Sequence, residues 1–360
     1  MVNVSKTFLP PIEDFISHVQ RAYSNGWLTN RGELIQELEI KISDFLELQN
    51  SKVLCLNNGT IPLQIALKLL GNGGEIITTP FSYVATTASI VWEGCTPIFV
   101  DIDPFYLTID EKKIEHSITE KTTCILATHV FGNPCNIEEI EKIAEKHNLK
   151  VIYDGAHCFG VKYKGKSIFE YGDITTCSFH ATKVFHTGEG GAIFCKDEDL
   201  FNKIFFSHNF GHNGPNDFFG LGINGKISEL NAAMGLAVLP YIGKIFHERE
   251  KVVDYYLNNI DFKNCKFLKI RDFVNWNYSY FPVVFKDEST LLMILNRLKE
   301  LSIFPRRYFY PSLNTLKYVN KIKMKKSENI SSRILCLPLY DQIDETELRK
   351  LVNVINLFTI

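Results

Sequence analysis

Two side chains 29 positions apart carry the reactive chemistry of this chain. Lys183 closes the run Ser178-Phe179-His180-Ala181-Thr182-Lys183 and is followed by Gly188-Glu189-Gly190-Gly191. Asp154 ends the apolar run Lys150-Val151-Ile152-Tyr153 and precedes Gly155-Ala156-His157. A lysine amine condenses with an aldehyde to a Schiff base, and an acid at a strand end keeps a ring nitrogen protonated. Together they are the minimal equipment for holding pyridoxal phosphate (PLP). A lysine set among Phe179, Val184 and Phe185, with few charges between Asp173 and Glu189, has a lowered pKa suited to imine formation and proton transfer. Taken singly, a solvated lysine and an ordinary strand-end acid are the plain alternatives.

The same cofactor needs a phosphate cup and a surface for its ring. Asn57-Asn58-Gly59-Thr60 follows an apolar run and opens a helix. Amides at such a start point outward with the positive helix end behind them, glycine permits close approach, and the threonine hydroxyl can donate. A simple capped turn has the same composition. It is not a Walker loop. Ser178 is a candidate for a phosphate oxygen. Tyr83, in Pro80-Phe81-Ser82-Tyr83-Val84-Ala85-Thr86, is a candidate for stacking on the pyridine face, or a core aromatic. His157 is placed to meet the ring hydroxyl, or is a satisfied core histidine.

These residues need a scaffold. A length of 360 residues predicts two domains. A hydrophobic share of 45% and a charged share of 22% are those of an ordinary globular protein. A net charge of −2 gives no general attraction to nucleic acid or anionic lipid. Nine cysteines without a C-x-x-C pair read as reduced thiols of a cytoplasmic protein, and no metal site is expected. No run of ~18 apolar residues predicts a membrane span, and the first residues show no signal-peptide core.

From about residue 50 to 200, short apolar runs at 53–56, 75–78, 97–100, 124–127 and 150–154 alternate with helical stretches at 84–92 and 137–147. Two more runs follow at 175–179 and 192–195. This alternation predicts an α/β fold: a mostly parallel seven-stranded sheet flanked by helices. Two amphipathic helices precede it, with Ile12, Phe15, Ile16 and Val19 on one face and Leu34, Leu38, Ile42 and Phe45 on another. After Ser228 a helix runs to Pro240 and a second begins near Tyr241. The domain change is expected there, giving a large domain of residues 1–240 and a smaller C-terminal α+β domain of residues 241–360.

Further runs complete a pattern. They are Gly26-Trp27-Leu28-Thr29 with Gly32, His129-Val130-Phe131-Gly132-Asn133-Pro134, Gly222-Ile223-Asn224-Gly225-Lys226-Ile227-Ser228-Glu229, and Leu337-Pro338-Leu339-Tyr340. With the blocks already described, the chain resembles the DegT-type sugar-nucleotide aminotransferases, PLP enzymes of fold type I, over nearly its whole length. The resemblance implies that Lys183 is the Schiff-base lysine and that Asp154 pairs with the pyridine nitrogen. His157 would meet the cofactor O3′ and Tyr83 would stack on the ring. Gly59, Thr60 and Ser178 would hold the phosphate, and Asn224 would reach the phosphate in a second subunit of a homodimer with shared sites. Gly155-Ala156, Ile61-Pro62 and Gly225-Lys226 depart from the usual pattern. The dehydrating branch carries histidine in place of the lysine, so Lys183 argues against it.

The same resemblance implies a nucleotide-linked keto sugar as acceptor and L-glutamate as donor. The His180 context is similar to branches acting at C4, whereas C3 branches often carry tyrosine there. Pro305-Arg306-Arg307-Tyr308-Phe309-Tyr310-Pro311 resembles the type that makes dTDP-4-amino-4,6-dideoxyglucose for surface polysaccharide such as O-antigen. Substrate contacts are expected from His180, Arg306, Arg307 and Tyr310. Adjacent arginines suit a diphosphate, and an exposed basic turn reads the same. Lys321, Lys323, Lys325 and Lys326 read as a solvated loop, with a place near the nucleotide entrance as the alternative. C3 transamination, dehydration and a non-catalytic PLP-binding regulator stay as alternatives.

Overall fold

The computed structural model describes residues 1–359. Seven strands form one sheet in the order Lys52–Leu56, Gly191–Cys195, Ile174–Ser178, Lys150–Asp154, Thr122–Thr128, Glu75–Thr78, Thr96–Phe99. Gly191–Cys195 runs antiparallel to both neighbours, and every other pairing is parallel. The α/β expectation with its mostly parallel seven-stranded sheet therefore holds. Ile174–Ser178 and Gly191–Cys195 are buried at every position because helices cover both faces. The two-residue alternation decides which layer each side chain joins. Val53 and Cys55 face the layer of Leu38, Ile42, Ala232 and Leu236. Leu54 and Leu56 face the layer of Leu63, Ala66 and Leu67.

A second core surrounds a three-stranded antiparallel sheet of Cys265–Phe267, Phe281–Phe285 and Ile334–Leu337, with helices Glu288–Glu300 and Glu345–Thr359 against it. The helix Ile242–Asn259 serves both cores. Its Ile242 and Ile245 pack in the first, and its Val252, Val253 and Tyr256 in the second. We propose units of 1–240 and 241–360 on that ground. One short segment crosses over: Val2–Asn3 pairs in parallel with Ile303–Phe304.

Two local expectations change. The first helix, Ile12–Asn25, buries Ala22 and packs half-buried Phe15 and Val19 against the core, but Ile12 and Ile16 are exposed. The lysine-rich stretch expected as a loop ends in a helix, Lys325–Arg333. Its first amides are satisfied from the other unit, because Lys326 N and Ser327 N donate to the Asp101 carboxylate at 2.9 and 2.8 Å. A carboxylate at a helix start offsets both the unpaired amides and the helix dipole.

Candidate active site

The carboxyl ends of the parallel strands converge on one cavity, where open α/β sheets present their ligands. It has a volume of about 230 Å³. At one end the strand Lys52–Leu56 turns through Asn57–Gly59 into the helix Thr60–Leu70, beside Ser178 at the end of Ile174–Ser178. A Cβ on Gly59 would lie 2.7 Å from Ser178 Cβ and 2.9 Å from its Oγ, so only glycine leaves this cradle open. The first amides of the helix are not free as the sequence suggested. Thr60 N and Ile61 N donate to Asn58 Oδ1 at 2.8 and 2.9 Å. The hydroxyls of Thr60 and Ser178 and the space beside Gly59 remain as the anion-binding equipment.

Asp154 is buried at the end of Lys150–Asp154. Its Oδ2 accepts the Thr86 hydroxyl at 2.7 Å and its Oδ1 the Ala156 amide at 3.1 Å. Burial raises its pKa, and the Thr86 and Ala156 hydrogen bonds and the charge of Lys183 oppose that rise. Lys183 enters the same cavity after the turn Phe179–Thr182. Desolvation lowers the pKa of its amine, with Asp154 acting against the shift. The Lys183 Nζ lies 5.9 Å from the Tyr280 ring centroid. His157 Nδ1 accepts the Phe131 amide at 3.2 Å, and burial holds the imidazole neutral. Its remaining proton therefore sits on Nε2 and can be donated.

The cavity is lined by Gly59, Thr60, Tyr83, Asp154, His157, Ser178, His180, Lys183 and Arg306, all expected from sequence. His180 Nδ1 meets the Thr182 hydroxyl at 2.8 Å, and its Nε2 lies 3.6 Å from Glu189. Three expected residues do not line it. Arg307 turns away, donating to Glu288 Oε1 at 2.6 Å and Ser332 O at 2.7 Å, with its guanidinium over the Tyr310 ring. Tyr310 is committed to that stack. Asn224 does not line the cavity; its backbone carbonyl accepts Asn57 Nδ2 of the same chain at 3.4 Å.

Sequence reasoning missed Tyr280, Tyr308 and Phe309. Tyr280 is buried against His157, with ring centroids 4.8 Å apart. The segment before it is fixed by buried Arg249, whose guanidinium donates to the carbonyls of Tyr278, Ser279 and Leu339 at 2.8, 2.6 and 2.8 Å. Asn277 Nδ2 ties the same segment to the His157 carbonyl at 2.8 Å. Tyr280 lies 123 positions from His157, and no local spacing announces it; Tyr308 and Phe309 sit beside Arg306 in a segment whose arginines carried the signal.

Residues 11–356 match the DegT/DnrJ/EryC1/StrS aminotransferase family. The chain belongs to this family. It is a PLP-dependent aminotransferase of fold type I. It is 40% identical over 359 residues to a dTDP-4-amino-4,6-dideoxy-D-glucose transaminase of Shigella dysenteriae, covering 98% of this chain and 97% of that one. A protein of the same name from Escherichia coli is 37% identical, over 96% and 95% of the two chains. Among solved structures, that of DesI in the presence of its TDP-sugar product is 27% identical with a TM-score of 0.92, covering 99% of this chain and 92% of that chain.

The residues present fit the cofactor. The cradle at Gly59 closes with any larger side chain, and the cavity joins a hydroxyl-lined end to a buried acid and a buried amine. Thr60 and Ser178 would hold the phosphate, Asp154 the ring nitrogen and Lys183 the aldehyde carbon. When bound, PLP supplies a carbon that accepts the amino group and a ring that withdraws electrons from the bond being broken. The protein supplies the rest. Asp154, gripped by the Thr86 hydroxyl and the Ala156 amide, would stabilise a protonated ring nitrogen when ionised. Lys183, its amine pKa lowered by burial, would carry a proton on Nζ at the aldehyde end of the cofactor. Tyr308 and Phe309 line that end of the cavity, with buried Tyr280 beside His157, and would limit water there.

Proposed function

We propose that this enzyme transfers an amino group from L-glutamate to C4 of a nucleotide-linked 4-keto-6-deoxyhexose, with dTDP-4-keto-6-deoxyglucose as acceptor, in the synthesis of a surface polysaccharide such as O-antigen. The observation that carries the reading is Arg306 at the cavity that holds Lys183 and Asp154, in a chain 40% identical to a transaminase named for that 4-amino product. A guanidinium there can pair with the diphosphate of the sugar nucleotide and with the carboxylate of glutamate, one after the other. Donor and acceptor thus share a single site. His180, bridging toward Glu189, is the polar group we assign to the sugar.

The homodimer belongs to the same proposal. Trp27, Leu28, Phe218, Phe219 and Leu221 are large, apolar and exposed, the signature of a protein–protein contact. Asn224 follows this group in sequence and does not line its own cavity, which leaves its side chain for the phosphate of the second subunit. We assign the enzyme to the cytoplasm. All nine cysteines are free and buried, which suits a reducing compartment. Among the described residues no helix is long and apolar enough to cross a membrane.

The test is to incubate purified protein with PLP, L-glutamate and dTDP-4-keto-6-deoxyglucose, and to follow 2-oxoglutarate and the sugar product by mass and NMR. A C4 amine with one 2-oxoglutarate per amine is expected. A C3 amine, a dehydrated sugar, or no product sinks the proposal.

A further inference from the structure

Three hydroxyls stand behind Asp154, and none of them lines the cavity. Thr128 ends the strand Thr122–Thr128, Ser82 lies in the loop after Glu75–Thr78, and Thr86 is in the first turn of the helix Val84–Trp92. All three are buried. The Thr128 hydroxyl donates to Ser82 Oγ at 3.0 Å. Ser82 Oγ and Thr86 Oγ1 are 2.8 Å apart. The Thr86 hydroxyl donates to Asp154 Oδ2 at 2.7 Å.

The order of donors follows from chemistry. An ionised carboxylate only accepts, so Thr86 must spend its one proton on Asp154. Its oxygen is then open to the proton of Ser82, and the Ser82 oxygen to that of Thr128. Every proton of the chain points toward the carboxylate. Were Asp154 to take up a proton, the whole row could reverse. Hydrogen bonds arranged head to tail in a dry interior polarise one another. Two other facts narrow the role. Thr128 and Asp154 are cross-strand partners in the parallel pair, and His129 N donates to the Asp154 carbonyl at 3.0 Å, so the two strand ends are locked in register. The Ala156 amide occupies Oδ1, so the carboxylate is gripped at both oxygens.

We propose that Thr128, Ser82 and Thr86 form a polarised hydroxyl relay that fixes the Asp154 carboxylate, in one orientation, for the ring nitrogen of PLP. They are positioning residues and act through Asp154. The relay rests on the PLP reading of the site. Burial favours the neutral acid at Asp154, and a neutral acid cannot stabilise a protonated ring. The relay opposes that tendency without adding a charge to the cavity.

The test uses full-length protein reconstituted with ¹⁵N-labelled PLP. Two quantities are read: the ¹⁵N chemical shift, which reports protonation of the ring nitrogen, and the dissociation constant of PLP from the apo-protein. Melting curves of the apo-proteins report folding. Thr86→Val removes the final donor at nearly constant volume. It is expected to move the ¹⁵N signal toward the unprotonated position and to weaken PLP binding by roughly 10- to 100-fold, the worth of a hydrogen bond to a charged group. Thr86→Ser keeps the hydroxyl and is expected to restore both readings to within about 3-fold of the parent. Ser82→Ala should act in the same direction as Thr86→Val, by a smaller factor of about 2 to 5. A Thr86→Val protein with the parental ¹⁵N shift and PLP affinity overturns the proposal. So does a Thr86→Ser protein as impaired as Thr86→Val. If Thr86→Val does not fold, Ser82→Ala decides: a shift supports the relay, and parental behaviour refutes it. Failure of the parent protein to bind PLP overturns the cofactor reading, and the relay with it.

Discussion

Gly59→Ala tests the phosphate cradle by adding a single methyl group. The backbone at Gly59 has φ −80° and ψ −8°, within the range any residue adopts, so alanine brings no conformational strain. The whole effect is steric. The new Cβ would stand 2.7 Å from Ser178 Cβ, 2.9 Å from its Oγ and 3.1 Å from its Cα. Carbon contacts are comfortable at about 3.5–4.0 Å, so the two segments must part by roughly 1 Å. Ser178 cannot yield alone, because it is paired in register with Gly191 and buried. Overpacking of this kind costs about 1–3 kcal/mol of stability. The larger consequence falls on the cofactor, since the hydroxyls of Thr60 and Ser178 no longer face the phosphate at hydrogen-bonding distance. Losing one hydrogen bond to a charged group, about 1.5–3 kcal/mol, weakens PLP binding by roughly 10- to 150-fold. The assay is titration of the apo-protein with PLP, followed by absorbance, beside a melting curve. Gly243→Ala is the control. Gly243 lies in the helix Ile242–Asn259 with no atom within 4 Å of its would-be Cβ. That change should stabilise by up to ~1 kcal/mol and leave PLP affinity unchanged. A Gly59→Ala protein with parental melting and parental PLP affinity would refute the reasoning.

Three further outcomes follow from the geometry. Arg306→Met should raise the KM for the sugar nucleotide by about 10-fold or more, while Arg307→Met leaves KM unchanged and lowers the melting temperature by roughly 1–3 °C through loss of its Glu288 and Ser332 contacts; steady-state kinetics showing the reverse pattern would contradict the split. Glu229→Gln removes a buried carboxylate that accepts Leu34 N at 2.7 Å and Ile35 N at 3.3 Å, capping the helix Glu33–Leu46 from almost 200 residues away; it should cost about 1–2 kcal/mol, and an unchanged melting temperature would dismiss the cap. Burial lowers the pKa of His129 to about 3 and that of His208 to about 4, from 6.5. Between pH 6.5 and 4 the unfolded chain therefore binds more protons than the folded one, so stability present above that window is lost as pH falls through it. Melting temperatures that stay flat from pH 7 to 4.5 would contradict this.

How much of this was legible before the structure depended on whether the signal was local. Asp154 ends one short apolar run and Lys183 follows another within five residues, and the alternation of such runs with helical stretches marks them as strands, so the convergence of the two side chains on one sheet edge could be read. The helices Val84–Trp92 and Ile137–His147 begin and end where their apolar spacing does. Arg306 and Arg307 show the limit. Their adjacency suits a diphosphate or an exposed basic turn equally, yet Arg306 lies in an extended bridge with Cys336, and successive side chains of extended backbone point to opposite sides. One enters the cavity and the other pairs with Glu288. At Thr60 and Ile61 the helix-start logic was sound, but Asn58 supplies the acceptor first. Cys265–Phe267 is too short, with Lys266 exposed, to carry a strand pattern. Tyr280, the Arg249 clamp and the hydroxyls behind Asp154 depend on contacts between distant segments, which no spacing rule encodes.

The central claim is that the Lys183 amine bonds the cofactor. Protein incubated with PLP, reduced with borohydride, digested and weighed should carry a pyridoxyl group on Lys183 and on no other residue, and Lys183→Ala should carry none. A label found elsewhere, retained in Lys183→Ala, or missing from the parent protein would contradict the account.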